Sequence, residues 1–226
     1  MCTLAHVFEA AGLATVSFIP IRAVAEKMHP PRALYAEFPL GLPLGKPLDP
    51  EFQHRVLAAA FALLDSTEPV FAEFDEAIPD SGDEMLACPL PPRHDPDAHP
   101  AVDESRGLRA AYDRGVKMSN GRFGAGRVVA ADDIPAAIES FIRITEGTPW
   151  AEAGIPGMPM RVSHDIRSYY ETAALAMVDH APAAWASTRW FLDQTETGKV
   201  MMAARVAMQE QEAPQPMWFY LTPGDR

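Results

Sequence analysis

Cysteine is scarce: Cys2 and Cys88 are the only two in 226 residues, too few for the disulfide framework of a small secreted domain. Cation is scarce as well. Nineteen Lys and Arg against 31 Asp and Glu leave a net charge of -12 and a pI near 4.9. Nucleic acid and anionic membrane surfaces are therefore poor partners, since both need clustered positive charge. No apolar run approaches the ~20 residues that span a bilayer. The opening MCTLAHVFEAAG has no basic segment ahead of an apolar block, so no signal peptide is expected. A cytoplasmic chain that binds a small molecule is the expectation.

Several chemical motifs are missing too. There is no GxxxxGK[ST] phosphate loop and no GxGxxG, because Gly121, Gly124 and Gly126 stand in the wrong order. There is no serine nucleophile elbow. No cofactor is expected from the sequence.

Apolar residues make up 48% of the chain and prolines number 22, enough for a core cut into segments by proline. Leu4, Val7, Phe8 and Ala11 recur at helical spacing before Gly12, and Ala14–Ile19 has strand composition. Ile21–Met28 reads as a short helix, Ala33–Phe38 as a strand, and Phe52–Leu64 as a helix capped by Asp49 with Pro50 in its first turn. This alternation predicts parallel strands with covering helices. A helix preceding the first strand implies a small sheet, or one completed by a later segment or another chain.

Residues 65–107 are acidic and proline-rich and read as a long loop. Leu108–Val116 predicts a helical turn or two, Gly121–Val129 a strand, and Ile134–Ile142 a helix begun by Asp132 or Asp133. Helices are expected beyond Asp165, over Ala183–Leu192 and over Gly198–Glu210. The apolar Met217–Leu221 tail should dock on the body of the protein or on a partner subunit. The fold class expected is α/β: a small flavodoxin- or Rossmann-like parallel sheet in residues 1–146, with a helical C-terminal portion, 147–226, packed on it. That helical portion and the tail are the expected surface for a homodimer or partner subunit.

Four sets of residues carry candidate chemistry. The loop after the second strand, with Phe38, Pro39, Gly41, Gly45 and Lys46, lies where open α/β sheets bind ligands; its alternative is a rigid crossover. Cys88 is the candidate thiol, with Arg93 and His94 nearby to lower its pKa, or else a small buried hydrophobe. Cys88, His94 and His99 are separated by five and four residues, with Asp95, Asp97 and Asp103 near, which permits a metal site without specifying one. His164-Asp165 and Asp179-His180 read as capping or solvated pairs. Tyr169, Tyr170, Trp185 and Trp190 read with the methionines as core or interface rather than a cofactor box.

The run HVFEAAG…IRAVAEKMHPPRALYAEFPLGLPLGKP resembles the selenoprotein B family of glycine, sarcosine, betaine and D-proline reductases, and more closely their stand-alone bacterial relatives. Glu9-Ala10-Ala11-Gly12, Pro31-Arg32-Ala33, Phe38-Pro39-Leu40-Gly41 and Pro43-Leu44-Gly45 carry the likeness. Ala87-Cys88-Pro89, Tyr169-Tyr170 and Trp190-Phe191 with Thr195-Glu196-Thr197-Gly198 extend it loosely. The resemblance implies an oxidoreductase that cleaves the C–N bond of a small polar nitrogen compound with a selenocysteine or cysteine. In the family that residue sits upstream of the EAAG helix, at a spacing Cys2 does not match. The function expected is thus a thiol-dependent reductase acting through Cys88. The alternatives are a non-catalytic ligand-binding or accessory subunit, and a metal-dependent enzyme using the Cys88–His99 loop.

Overall fold

The computed structural model describes residues 1–39, 42–45, 49–78, 86, 88–179, 182 and 185–222. The chain divides into two compact units, Met1–Ser81 and Gly82–Arg226. The sequence suggests a boundary near 146. It lies earlier because residues 86–145 share a single core with the C-terminal helices.

The first unit is the α/β part. In order it holds α1 (Cys2–Ala10), β1 (Ser17–Ile19), α2 (Arg22–Met28), β2 (Arg32–Tyr35), α3 (Pro50–Ala62) and β3 (Val70–Glu73). Asp49 caps α3 as its sequence predicts, its side chain accepting from the Phe52 N–H, with Pro50 in the first turn. β3 falls inside the stretch read as loop. Its short edge position, with alternate residues exposed, needs little of the apolar content that marks a buried strand.

The three strands are parallel in the order β1-β2-β3, with Ser17 opposite Ala33 and Ala33 opposite Phe71. Side chains alternate between the two faces. On one face Ile19 and Ala33 pack with Cys2 of α1 and Ala25 of α2. Arg22 of α2 lies over the Tyr35 ring on that face, 4.6 Å from its centre, and pairs with Glu73. On the other face Phe18, Ala36 and Phe38 pack against Phe52 and Val56 of α3. The strand order never reverses, yet the two crossover helices cover opposite faces. The crossovers therefore have opposite hands, and one departs from the right-handed sense that almost all such connections take.

The second unit is helical: α4 (Pro100–Gly107), α5 (Arg109–Met118), α6 (Ile134–Thr145), α7 (Pro159–Leu175), α8 (Ala186–Gln194), α9 (Glu196–Glu210) and α10 (Gln215–Trp218). Its core gathers Phe141, Tyr169, Tyr170, Trp190 and Phe191, all nearly sealed from water. Burying each such side chain is worth roughly 2–3 kcal/mol. Two glycines set the helix spacing. A Cβ on Gly115 of α5 would lie 2.1 Å from the Thr172 carbonyl oxygen of α7, and one on Gly198 of α9 would lie 2.0 Å from that of Phe191. The tail docks on its own unit: Leu221 is buried in this core, with Met217 and Trp218 packed against it.

Residues 121–129, expected as a strand, form an irregular loop. α4, expected as loop, is a helix because His99 caps it and Pro100 starts it. Among the described residues no helix is long and apolar enough to cross a membrane.

Candidate functional site

The loop after β2 is built around aromatic rings. Phe38 is buried, with its ring centre 5.5 Å from that of Phe52 and 5.9 Å from that of Phe74. Gly45 has φ +91°, and a Cβ there would stand 2.4 Å from the Phe52 ring. Both residues are thus held by packing of the loop onto α3. Pro39 is half-buried. Gly41 and Lys46 lie outside the described residues.

Cys88 is core. It is 5% exposed, its Sγ–H faces the Ala174 carbonyl oxygen at 3.9 Å, and its own carbonyl accepts from the Trp190 indole. Burial in apolar surroundings pushes the thiol up to about 11. The Arg93 cation expected to activate it is engaged elsewhere. The Arg93 guanidinium donates to the carbonyl oxygens of Asp95, Pro96 and Ala98. Cys2 is buried as well, at 6% exposure. Neither thiol is the accessible nucleophile that was expected, and the Cys88 thiol is pushed away from the thiolate form.

His99 commits Nδ1 to the Ala101 N–H at 3.2 Å, and Asp103 accepts the backbone N–H groups of His94 and Asp95. Among the described residues no three His, Cys, Asp or Glu side chains stand close enough to hold a metal ion, so Cys88, His94 and His99 are not brought together as ligands.

Asp165 is not the solvated cap the sequence suggests. It lies within α7, 1% exposed, and its carboxylate accepts four consecutive backbone N–H groups, from Gly126, Arg127, Val128 and Val129, at 2.7 to 3.2 Å. Burial alone would raise its pKa, but the four donors outweigh it and hold the carboxyl below its ordinary range. Its neighbour His164 is half-buried, with its pKa lowered first by burial and then by Arg167 and Arg127. Asp179 has a polar partner, and His180 lies outside the described residues.

A second buried carboxylate escapes sequence reasoning. Glu104 of α4 accepts from the Tyr170 hydroxyl at 2.9 Å and from the Glu196 and Thr197 N–H groups that open α9. Tyr170 also shares a 2.6 Å hydrogen bond with Thr197. Burial raises the Glu104 pKa against the pull of these donors. The signal available in sequence was the capping pattern at Thr195–Gly198, whose Thr195 hydroxyl accepts from Gly198 N–H. Nothing in it pointed to a partner on α4.

The open space in this unit runs along α6. A depression of about 500 Å³ is lined by His99, Arg106, Glu139, Arg143 and Glu146, and two neighbouring depressions share Glu139 with it. Arg143 donates to neutral acceptors, the Ala153 carbonyl and the Ser140 hydroxyl, so its charge faces the groove without neutralisation by them. Arg106, also in the lining, approaches Asp95 at 3.8 Å. Two arginines and four carboxylates, the latter Asp95, Asp97, Glu139 and Glu146, thus line one depression. Compared with family models, with curated proteins and with solved structures, the chain matches none.

Proposed function

We propose that the chain is a non-catalytic, small-ligand-binding or accessory subunit of a reductase-like assembly. This is the second of the roles implied by its resemblance to the selenoprotein B family. The observation that carries the reading is the burial of both thiols. A nucleophile for C–N cleavage must present a thiolate to substrate, and a thiol at about 11 inside the core does neither at neutral pH.

The ligand class in this reading is a small polar nitrogen compound. The groove along α6 supports it: Arg106 and Arg143 suit a carboxylate, while Glu139 and Glu146 suit an ammonium or quaternary nitrogen. A few well-placed charges in a concave site are what orient small ligands. The likeness to one half of a Rossmann-type sheet belongs to the same reading. The parallel β1-β2-β3 order supports it, while crossover helices on opposite faces set this sheet apart from such a half.

The test is calorimetric titration of the whole chain with glycine, sarcosine, betaine and D-proline, alongside an assay for dithiol-dependent reduction of each. The expected result is saturable binding of at least one compound, weakened tenfold or more in Arg143→Gln, and no turnover. Turnover abolished by Cys88→Ser would overturn the reading and restore the thiol-dependent reductase. Heat-free mixing with all four would exclude the ligand class.

A further inference from the structure

Helix α1 is apolar on two opposite sides. Cys2 and Ala5 face inward with Ala25 and Ile19, whereas Leu4, Val7 and Phe8 form an outward stripe at the i, i+3, i+4 spacing. Leu4 is 53% and Val7 56% exposed, which places the stripe squarely in water. Leu13 follows at the end of the helix, its N–H bonded to the Phe8 carbonyl. Beside it α2 exposes Ile21, Val24 and Met28. The two helices are neighbours, joined by the Cys2–Ala25 packing and by His6 Nε2 at 3.0 Å from the Met28 carbonyl. The outward stripes therefore belong to one surface of the α/β unit.

We infer that this surface joins two copies of the chain. Two observations favour a second copy as the occupant. The first is area. With large side chains of ~200 Å² and about half of each exposed, seven residues present about 650 Å² per copy. Two such patches bury about 1,300 Å², within the range of specific stable interfaces. A patch this size is also larger than monomeric proteins commonly leave in water.

The second is charge. At -12 per chain, two copies repel unless they meet on a face poor in carboxylates. Residues 1–8, MCTLAHVF, contain no charged side chain. Glu9, the first acid of α1, hydrogen-bonds the Arg32 guanidinium and the Thr15 N–H and hydroxyl, so its charge is already matched.

The interface is independent of the groove along α6 and of the ligand reading. Its test is sedimentation equilibrium of the full chain at about 50 µM, above the µM dissociation constants of the weaker interfaces of this size. The wild type should run as a dimer. Val7→Glu and, separately, Leu4→Glu place a carboxylate on the stripe without touching the core. Each should shift the molecule to monomer with circular dichroism and melting temperature unchanged. A wild-type monomer overturns the inference and leaves the face to a different partner. A dimer that survives both variants overturns it too.

Discussion

The Trp190 indole N–H donates to the carbonyl oxygen of Cys88 across 3.3 Å, tying the cysteine's backbone to helix α8 while its thiol points at α7. The cysteine is thus held at both ends by core groups. Iodoacetamide is therefore expected to leave Cys88 unmodified in the native protein at pH 7. A pKa of about 11 in place of 9.0 lowers the thiolate fraction about a hundredfold, and burial slows access further. Mass spectrometry of the native and urea-unfolded protein checks this: label should appear at Cys88 only after unfolding.

Asp165→Asn should destabilise the second unit by about 2–4 kcal/mol, since an amide presents one acceptor and turns its N–H₂ toward two of the four backbone donors. The pH dependence follows from the lowered pKa. Stability from this carboxylate is present above its unfolded value of about 3.8 and is lost as pH falls through the lower folded value. Urea midpoints between pH 2 and pH 6 should therefore fall less steeply on acidification in the variant than in the wild type.

Tyr170→Phe removes the hydroxyl that joins Glu104 to Thr197. The loss should be about 1–2 kcal/mol, or roughly 2–6 °C in melting temperature, with the fold retained. Because burial raises the Glu104 pKa, its ionised form costs stability above the folded value. That cost is lost as pH falls from the folded value toward the unfolded value of about 4.5, a trend Glu104→Gln would abolish. Thermal melts at pH 5 and pH 8 distinguish the two variants.

Gly115→Ala tests the α5–α7 contact. In an open helix the change would stabilise by ~0.5–1 kcal/mol. Here the methyl meets backbone at 2.1 Å, so a loss of about 3 kcal/mol or more is expected. A urea midpoint equal to or above wild type would show that the helices part easily.

Local signals in the sequence located most elements. Asp49-Pro50 opened α3, and the apolar spacing of Ile134, Ile138 and Phe141 placed α6. The mixed α/β class followed from the alternation in the first 64 residues. What failed was whatever depends on distant partners. Gly121–Val129 looked like a strand because its apolar end follows a glycine turn, yet its N–H groups go to Asp165, 36 to 39 residues away. Glu104 falls in the stretch that reads as an acidic loop, yet it is buried because donors more than ninety residues along the chain satisfy it. Cys88 invited a catalytic reading because Arg93 and His94 are near in sequence, but sequence proximity did not become proximity of charge to sulfur. Gly45 is needed where it stands because a Cβ there would meet the Phe52 ring, a contact that nothing local in the sequence announces.

The Glu104 carboxylate finds its donors at Glu196 and Thr197, more than ninety positions later. During synthesis the ribosome releases α4 well before the residues that neutralise its burial cost. Until α9 emerges, that acid is better left hydrated, and α4 has reason to stay loose. The second unit should therefore lock late, in one concerted step, and a nascent chain stopped short of Thr197 should be readily digested by protease.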